Sequence, residues 1–544
     1  MPPPITAGRA HRPSSCRAVA QAAGSRADQE LVTPTRRSLV AATATGAGVA
    51  LVASPAEAAG YRVRAYTRTK IPAPATLHAL QRLTAGYTPA LLRQVGAAGG
   101  FGRWFDRQLR GHYDDGWYSA TARWWHSINA SEADLWQRQK DGVEMFWRAD
   151  ANYQCWAMVR RVGSQRQVLE TMAEFWEHHF HVPANGEVGP FRTSYGKTIR
   201  GLALTRFDQL LPAAVTHPAM SVYLNNANSN KSAPNENLGR ELLELHTVGR
   251  GHYTEDDVKS SARILTGFRV GLWSDWKAWY DPTRHWTGPV QVMDFAHPNA
   301  DPDGRAALGA YLRYLAHHPA TARRIAHKLA VRFVSDSPPA DLVDHLARVY
   351  LANKTAIGPV LRALVASSAF RASAGKKVRT PSEDVVATYR AIGARFTTGP
   401  SASNDSSAAN AILWQSSSLG LPAFGWQRPD GRPDNGAAWS STSRFLASLD
   451  LHYTVSGGWW PKVGVAYRRP AAWLPQPRIR FDHLVDHLSR TILGRGSTPL
   501  LLRVACEAAG CGPAAVITTG HRIVRWEMAR LVTVFLDSPT HMTR

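Results

Sequence analysis

From Thr76 onward, apolar residues recur at intervals of three and four almost without interruption, and this period constrains the chain more than any other feature. TLHALQRLTAGYTPALLRQV, FGRWFDRQL, NYQCWAMVRRVGSQRQVLETMAEFWEHHF and PATARRIAHKLAVRFV all carry it, whereas alternating runs between turn residues are scarce. The expected fold class is all-α: a large multi-helical globular domain with long Trp/Gly/Pro-rich loops. Local punctuation agrees. Thr254 with Asp257 reads as an N-cap and its reciprocal acid, Gly267 as a helix stop, and Ser337-Pro338-Pro339-Ala340 as the opening of DLVDHLARVYL, with IGPVLRALVASSAF following from Ile357. The chain has 544 residues, 44% of them hydrophobic and 19% charged, which suits a globular protein with a large core.

Three stretches interrupt the helical pattern. Trp273–Gly304, rich in Trp, Pro, Gly and Asp, reads as an ordered excursion, TTGPSASNDSSA as a flexible loop, and Leu419–Trp439 as a third loop with tryptophans of its own. The expected organisation is a helical core region over 59–395, a flexible linker loop over 396–410 and a C-terminal helical part of the same domain over 411–544. No internal repeat is visible. Residues 1–58 read as a targeting segment: Arg36-Arg37 precede a weakly apolar run, and Ala56-Glu57-Ala58 offers a cleavage site after Ala58. The arginine pair and the diluted apolar run point to the twin-arginine (Tat) route and an extracellular or cell-envelope location. Tat carries folded chains, so a cofactor inserted before export gains weight. No later stretch is long and apolar enough to span a bilayer, so no transmembrane segment is expected in the mature chain.

The formal charge is +23, and the first 58 residues hold six arginines against three acids, leaving about +20 on the remainder. Outside a cell that excess suits an anionic envelope polymer or polysaccharide, and no basic block with interleaved aromatics argues for nucleic acid. A basic solvated helix surface, as in RRIAHKLAVRF, explains it equally. Cys506 and Cys511, in CEAAGC, are close enough in sequence for a local disulfide in an oxidising compartment, which leaves Cys155 single.

Two stretches can carry chemistry. In NENLGRELLELH, at about 100° per residue, Glu236, Arg240, Glu244, Asn237 and Glu241 fall within an arc of about 140°. The leucines take the other side, and on a straight helix His246 points away from the carboxylates. A solvated or ion-paired face is one reading, with Glu236 to Arg240 in the favourable i,i+4 order. Metal ligation by Glu241 and Glu244 is the other. In FWEHHFHV, His178 and His181 share a face and His179 points elsewhere. The order is not that of H-E-x-x-H, and ligation competes with core packing. Asn299–Gly304 begins like a calcium loop, but Ala307 and Ala310 stand where ligands are needed. No G-x-S-x-G elbow, phosphate loop or dinucleotide fingerprint is present.

The order FWEHHF, YLNNANSNKSAPNENLGRELLELHTVGRGHYTEDDVKSSARILTGF, HHPATARRIAHKLAVRFVSDSPPADLVDHLARVY, VLRALVASSAF and KVRTPSEDVVATYRAIG resembles the bacterial domain-of-unknown-function family 1800, from about Leu77 to beyond Trp439. The resemblance implies a large, mainly helical, exported protein, often encoded beside a second exported protein that is a partner by implication, and no known reaction. Its pattern covers Trp176, His179, Phe180, Asn225, Asn235, Glu236, Asn237, Arg240, Glu241, Glu244, Thr254, Asp257, Arg263, Thr266 and Gly267. It favours His179 over His178 and His181, and it does not include His246.

The expectation is a central polar cluster of His179, Glu236, Arg240, Glu241 and Glu244, with Asn225, Asn235, Asn237 and Arg263 around it. As an enzyme, the cluster would bind a divalent metal ion through His179, Glu241 and Glu244 and act on an envelope or extracellular polymer. As a binding or assembly protein, it would be a closed ion-pair network, with the Trp-rich loops at 273–286 and 426–439 as the working surface.

Overall fold

The computed structural model describes residues 61–401 and 406–544. Arg36, Arg37 and Ala58 lie outside the described residues, as does part of the expected linker at 396–410. Helices follow one another from Pro74 to Met542, and the strands among the described residues form four two-stranded antiparallel ribbons. No helix among them is long and apolar enough to cross a membrane.

Helix boundaries follow local chemistry. Thr254 accepts from the Asp257 N–H while the Asp257 carboxylate accepts from the Thr254 N–H, and Thr380 with Glu383 repeats this capping box. The excursion at 273–304 is ordered, as its aromatic content predicts. Strands Phe268–Val270 and Ala278–Tyr280 pair, as do Val290–Val292 and Phe295–His297.

Apolar side chains gather in two centres. The first draws on Leu77–Ala98 and most apolar positions from Val168 to Phe370. The second joins the long helix Phe146–Gly163, through Tyr153–Val162, to the segments from Val385 to Leu536. Helices Phe146–Gly163 and Ala408–Ser418 pack together, so residues beyond 396–410 bear directly on residues well before them.

Between the two centres runs a buried layer of charge. The histidine helix, Gln167–His179, carries Glu170, Glu174 and Glu177 at intervals of four and three, and all are buried. Glu177 accepts from Arg192 at 2.8 Å and from the Tyr153 hydroxyl at 2.8 Å, and Glu170 binds Arg160 and Arg200. Glu174 meets Arg161 at 2.9 Å, Arg332 at 3.0 Å and Arg432 at 3.4 Å. Arg332 continues to Glu383 at 2.7 Å and Asp434 at 3.6 Å, and both acids also face Arg544. Part of the arginine excess is therefore interior structure: within RRIAHKLAVRF, Arg323 is exposed but Arg332 is buried.

The expected disulfide is not formed. Cys506 and Cys511 are both thiols, each pushed above its ordinary pKa by burial, Cys506 to about 12. Cys506 turns into the second apolar centre near the end of helix Pro499–Ala509, while Cys511 follows the left-handed Gly510 and lies half-buried.

Candidate functional site

The helix that begins at Glu236 is not uniform. It is α-helical over Glu236–Glu241 and widens to a π turn over Leu242–His246. A π turn adds a residue to the repeat, so angular positions counted at about 100° per residue fail beyond Glu241. Instead of facing away, His246 enters the interior, fully buried. There it meets His179, at the end of the histidine helix and only 2% exposed.

The two imidazoles lock each other. His179 Nε2 lies 3.1 Å from the His246 carbonyl, and His246 Nδ1 lies 3.0 Å from the His179 carbonyl. A carbonyl only accepts, so both nitrogens carry protons, and both tautomers are set. His179 Nδ1 is then an acceptor, and Lys328 Nζ donates to it at 3.0 Å. Trp176, Phe180 and Phe207 surround the His179 ring. Lys328 and Arg324 both come from the helix Pro319–Phe333, where Arg324 Nε donates to the Leu245 carbonyl inside the π turn at 3.1 Å.

Burial, followed by the Arg324 cation, lowers the Lys328 ammonium from 10.5 to about 7, and Asp430 and Asp434 offset only part of this. His179 is held well below its ordinary range by burial and then by Lys328, so it is neutral and free to accept. Lys328 is half-buried, and its amine is poised to exchange a proton near neutral pH.

The loop Gly425–Trp439 covers this end of the histidine helix. Gly431 has a φ of +72° and packs so tightly that a Cβ there would sit 2.0 Å from the His178 carbonyl. Arg432 Nε donates to His178 Nε2 at 3.0 Å, and His181 Nε2 donates to the Trp426 carbonyl at 2.7 Å. His178 thus faces the covering loop, stacked on His181, in a different neighbourhood from His179. Asp430 from the loop acts on both Lys328 and Glu241. The Glu241 carboxyl is raised by burial first and then by the Glu244 charge beside it.

The remaining expected site residues disperse. Arg240 bridges Glu255, with both bonds at 2.7 Å, and Glu236 at 3.2 Å, all at the surface. Burial opposes ionisation of Glu244, but hydrogen bonds from Arg250 and then Tyr253 hold its pKa low. Asn235 caps the helix by accepting from the Asn237 N–H, Asn237 is exposed, and Asn225 is exposed with a φ of +58°. Arg263 stacks on Trp286 at 4.8 Å, beside a surface cavity of about 260 Å³ that Glu236 also lines.

These contacts do not fit a metal at His179, Glu241 and Glu244. Both His179 nitrogens are committed, one to a carbonyl and the other to an ammonium donor, and Glu244 is neutralised by Arg250. Three participants escaped the sequence reading: His246, Lys328 and Asp430. Only the covering loop left a signal in the sequence. WQRPDGRPD sets turn residues and two acids around Gly431, whereas Lys328, four residues from both Arg324 and Arg332 in RIAHKLAVRF, reads as one more cation of a basic helix.

Residues 78–543 match the family described as "Protein of unknown function (DUF1800)". No curated protein and no solved structure matches the chain significantly.

Proposed function

The chain belongs to the DUF1800 family, and within it we propose an exported enzyme in which Lys328, positioned by His179, is the general base. The reading is carried by one observation: a lysine amine lowered to about 7 and hydrogen-bonded at 3.0 Å to a histidine whose tautomer is fixed. A base whose pKa lies near the working pH combines a usable deprotonated fraction with a useful driving force. Donation of one Lys328 N–H to His179 orients the amine and leaves its lone pair for a proton from water or a substrate hydroxyl. Glu241, whose carboxyl is raised, is the matching acid, since Asp430 bears on both groups. The reaction class is hydrolysis of a polar envelope or extracellular polymer, reached through Tat export directed by Arg36 and Arg37.

The test is release of soluble fragments from purified cell-wall polymer by the exported protein. Wild type is expected to release them, Lys328→Met to lose release by about a hundredfold or more, and the surface variant Glu236→Gln to retain it. Equal release by wild type and Lys328→Met, or none by a correctly folded wild type, would overturn the reading.

A second reading has its own observation. Trp273 and Trp279 in the 273–286 loop are 64% and 48% exposed, although Trp276 between them is buried. Exposed indole faces suit carbohydrate stacking or a partner protein, as a binding or assembly protein would need. In that case Trp273→Ala abolishes retention on the polymer while Lys328→Met leaves it unchanged.

A further inference from the structure

Far from Lys328 in sequence, a second titratable cluster closes the C-terminal part of the fold. Asp384 comes from the helix Pro381–Ile392, His452 from Thr442–Ser456 and His541 from Pro539–Met542. All three are buried, and one ligand atom from each lies within 4.8 Å of the others. Among the described residues this is the only group of three His, Cys, Asp or Glu side chains so close together.

The geometry has the parts of a metal site. Asp384 Oδ2 is occupied by the Ser448 hydroxyl at 2.7 Å and by Arg444 at 3.2 Å, so Oδ1 is the oxygen turned to His452. His452 Nε2 lies 3.2 Å from that oxygen. Two ligands on a tetrahedral ion with bonds of about 2.0–2.1 Å are separated by about 3.3 Å, so the same spacing serves an ion between them. On the far side of the ring, His452 Nδ1 lies 2.8 Å from Asp537, the carboxylate–histidine arrangement that orients a ligating imidazole. The His541 ring stands 5.5 Å from that of His452 and nearly perpendicular to it. A cavity of about 10 Å³ is lined by His541 and Arg379 but by neither Asp384 nor His452, so the ligand set is the three side chains. Two guanidinium groups come near, Arg444 on Asp384 and Arg379 on the His541 carbonyl, and the carboxylates of Asp384 and Asp537 oppose them.

We propose that Asp384, His452 and His541 bind one divalent ion of the zinc class as a structural staple joining three C-terminal helical segments. Two imidazoles and one carboxylate suit zinc and its first-row neighbours and not calcium or magnesium, which take oxygen ligands. Binding displaces the proton that otherwise sits on His452 Nε2 between the ring and Asp384, so one proton leaves per ion bound. The site is sealed from solvent, which makes the role structural and requires loading during folding.

The test is elemental analysis of the full chain folded in zinc-supplemented medium, with thermal melting before and after denaturation and refolding with a chelator or with Zn²⁺. Close to one equivalent of metal is expected, with a melting temperature that falls after refolding in chelator and returns after refolding in Zn²⁺. His541→Gln, which keeps most of the side-chain volume, is expected to hold no metal and to melt alike in both. A folded wild type that carries no transition metal above background and melts alike in both would overturn the proposal, whatever the fate of the variant.

Discussion

Lys328 is the residue on which the account turns, and its protonation makes a stability statement. Its folded-state pKa of about 7 lies below the unfolded value near 10.4, so between the two the unfolded chain binds more protons. The cost of charging Lys328 is fully present below pH 7 and disappears as pH rises toward 10, at a slope of up to about 1.4 kcal/mol per pH unit. Lys328→Met removes the titration. Denaturant unfolding at several values across that window should show wild type gaining on the variant as pH rises, and parallel curves would contradict the assignment. This residue was not legible in sequence. A lysine in a basic helix reads as solvated until the chain brings His179, from a segment 149 positions away, against its amine.

At the scale of single elements, the π turn at Leu242–His246 decided what could be read in advance. The face Glu236–Arg240–Glu241 and the leucine side were visible because helical geometry holds up to Glu241, and the i,i+4 pair Glu236–Arg240 formed as its spacing implies. Beyond that point the assumption of a straight helix misdirected His246. Replacing His246 by Phe keeps most of the volume and removes the N–H donor to the His179 carbonyl, which should cost about 1–3 kcal/mol in denaturant unfolding. Glu236→Gln, by contrast, disturbs a solvated pair, so its melting temperature should match that of wild type. In the covering loop, Gly431→Ala meets both a positive φ and the His178 carbonyl. A loss of roughly 1–3 kcal/mol, with faster proteolysis within 425–439, is expected.

For the whole molecule, the helical class and the element order were legible because period and capping are local properties, and Thr254 with Asp257 shows how little context they need. The buried charge was not, since Glu174 finds Arg332 and Arg432 across 158 and 258 positions. Only the spacing of Glu170, Glu174 and Glu177 on an otherwise apolar helix hinted at it. Glu174→Gln leaves Arg161, Arg332 and Arg432 short of a carboxylate, and should destabilise the fold by about 3–5 kcal/mol by chemical denaturation. The helix that carries this layer also ends at His179, so interior charge and candidate chemistry share one rigid support. The central claim is tested most directly by competitive labelling of lysines with an amine reagent across about pH 6 to 10, read residue by residue by mass spectrometry. Lys328 is expected to react with a midpoint near 7 while exposed lysines follow the ordinary curve, and a Lys328 midpoint near 10 would contradict the account.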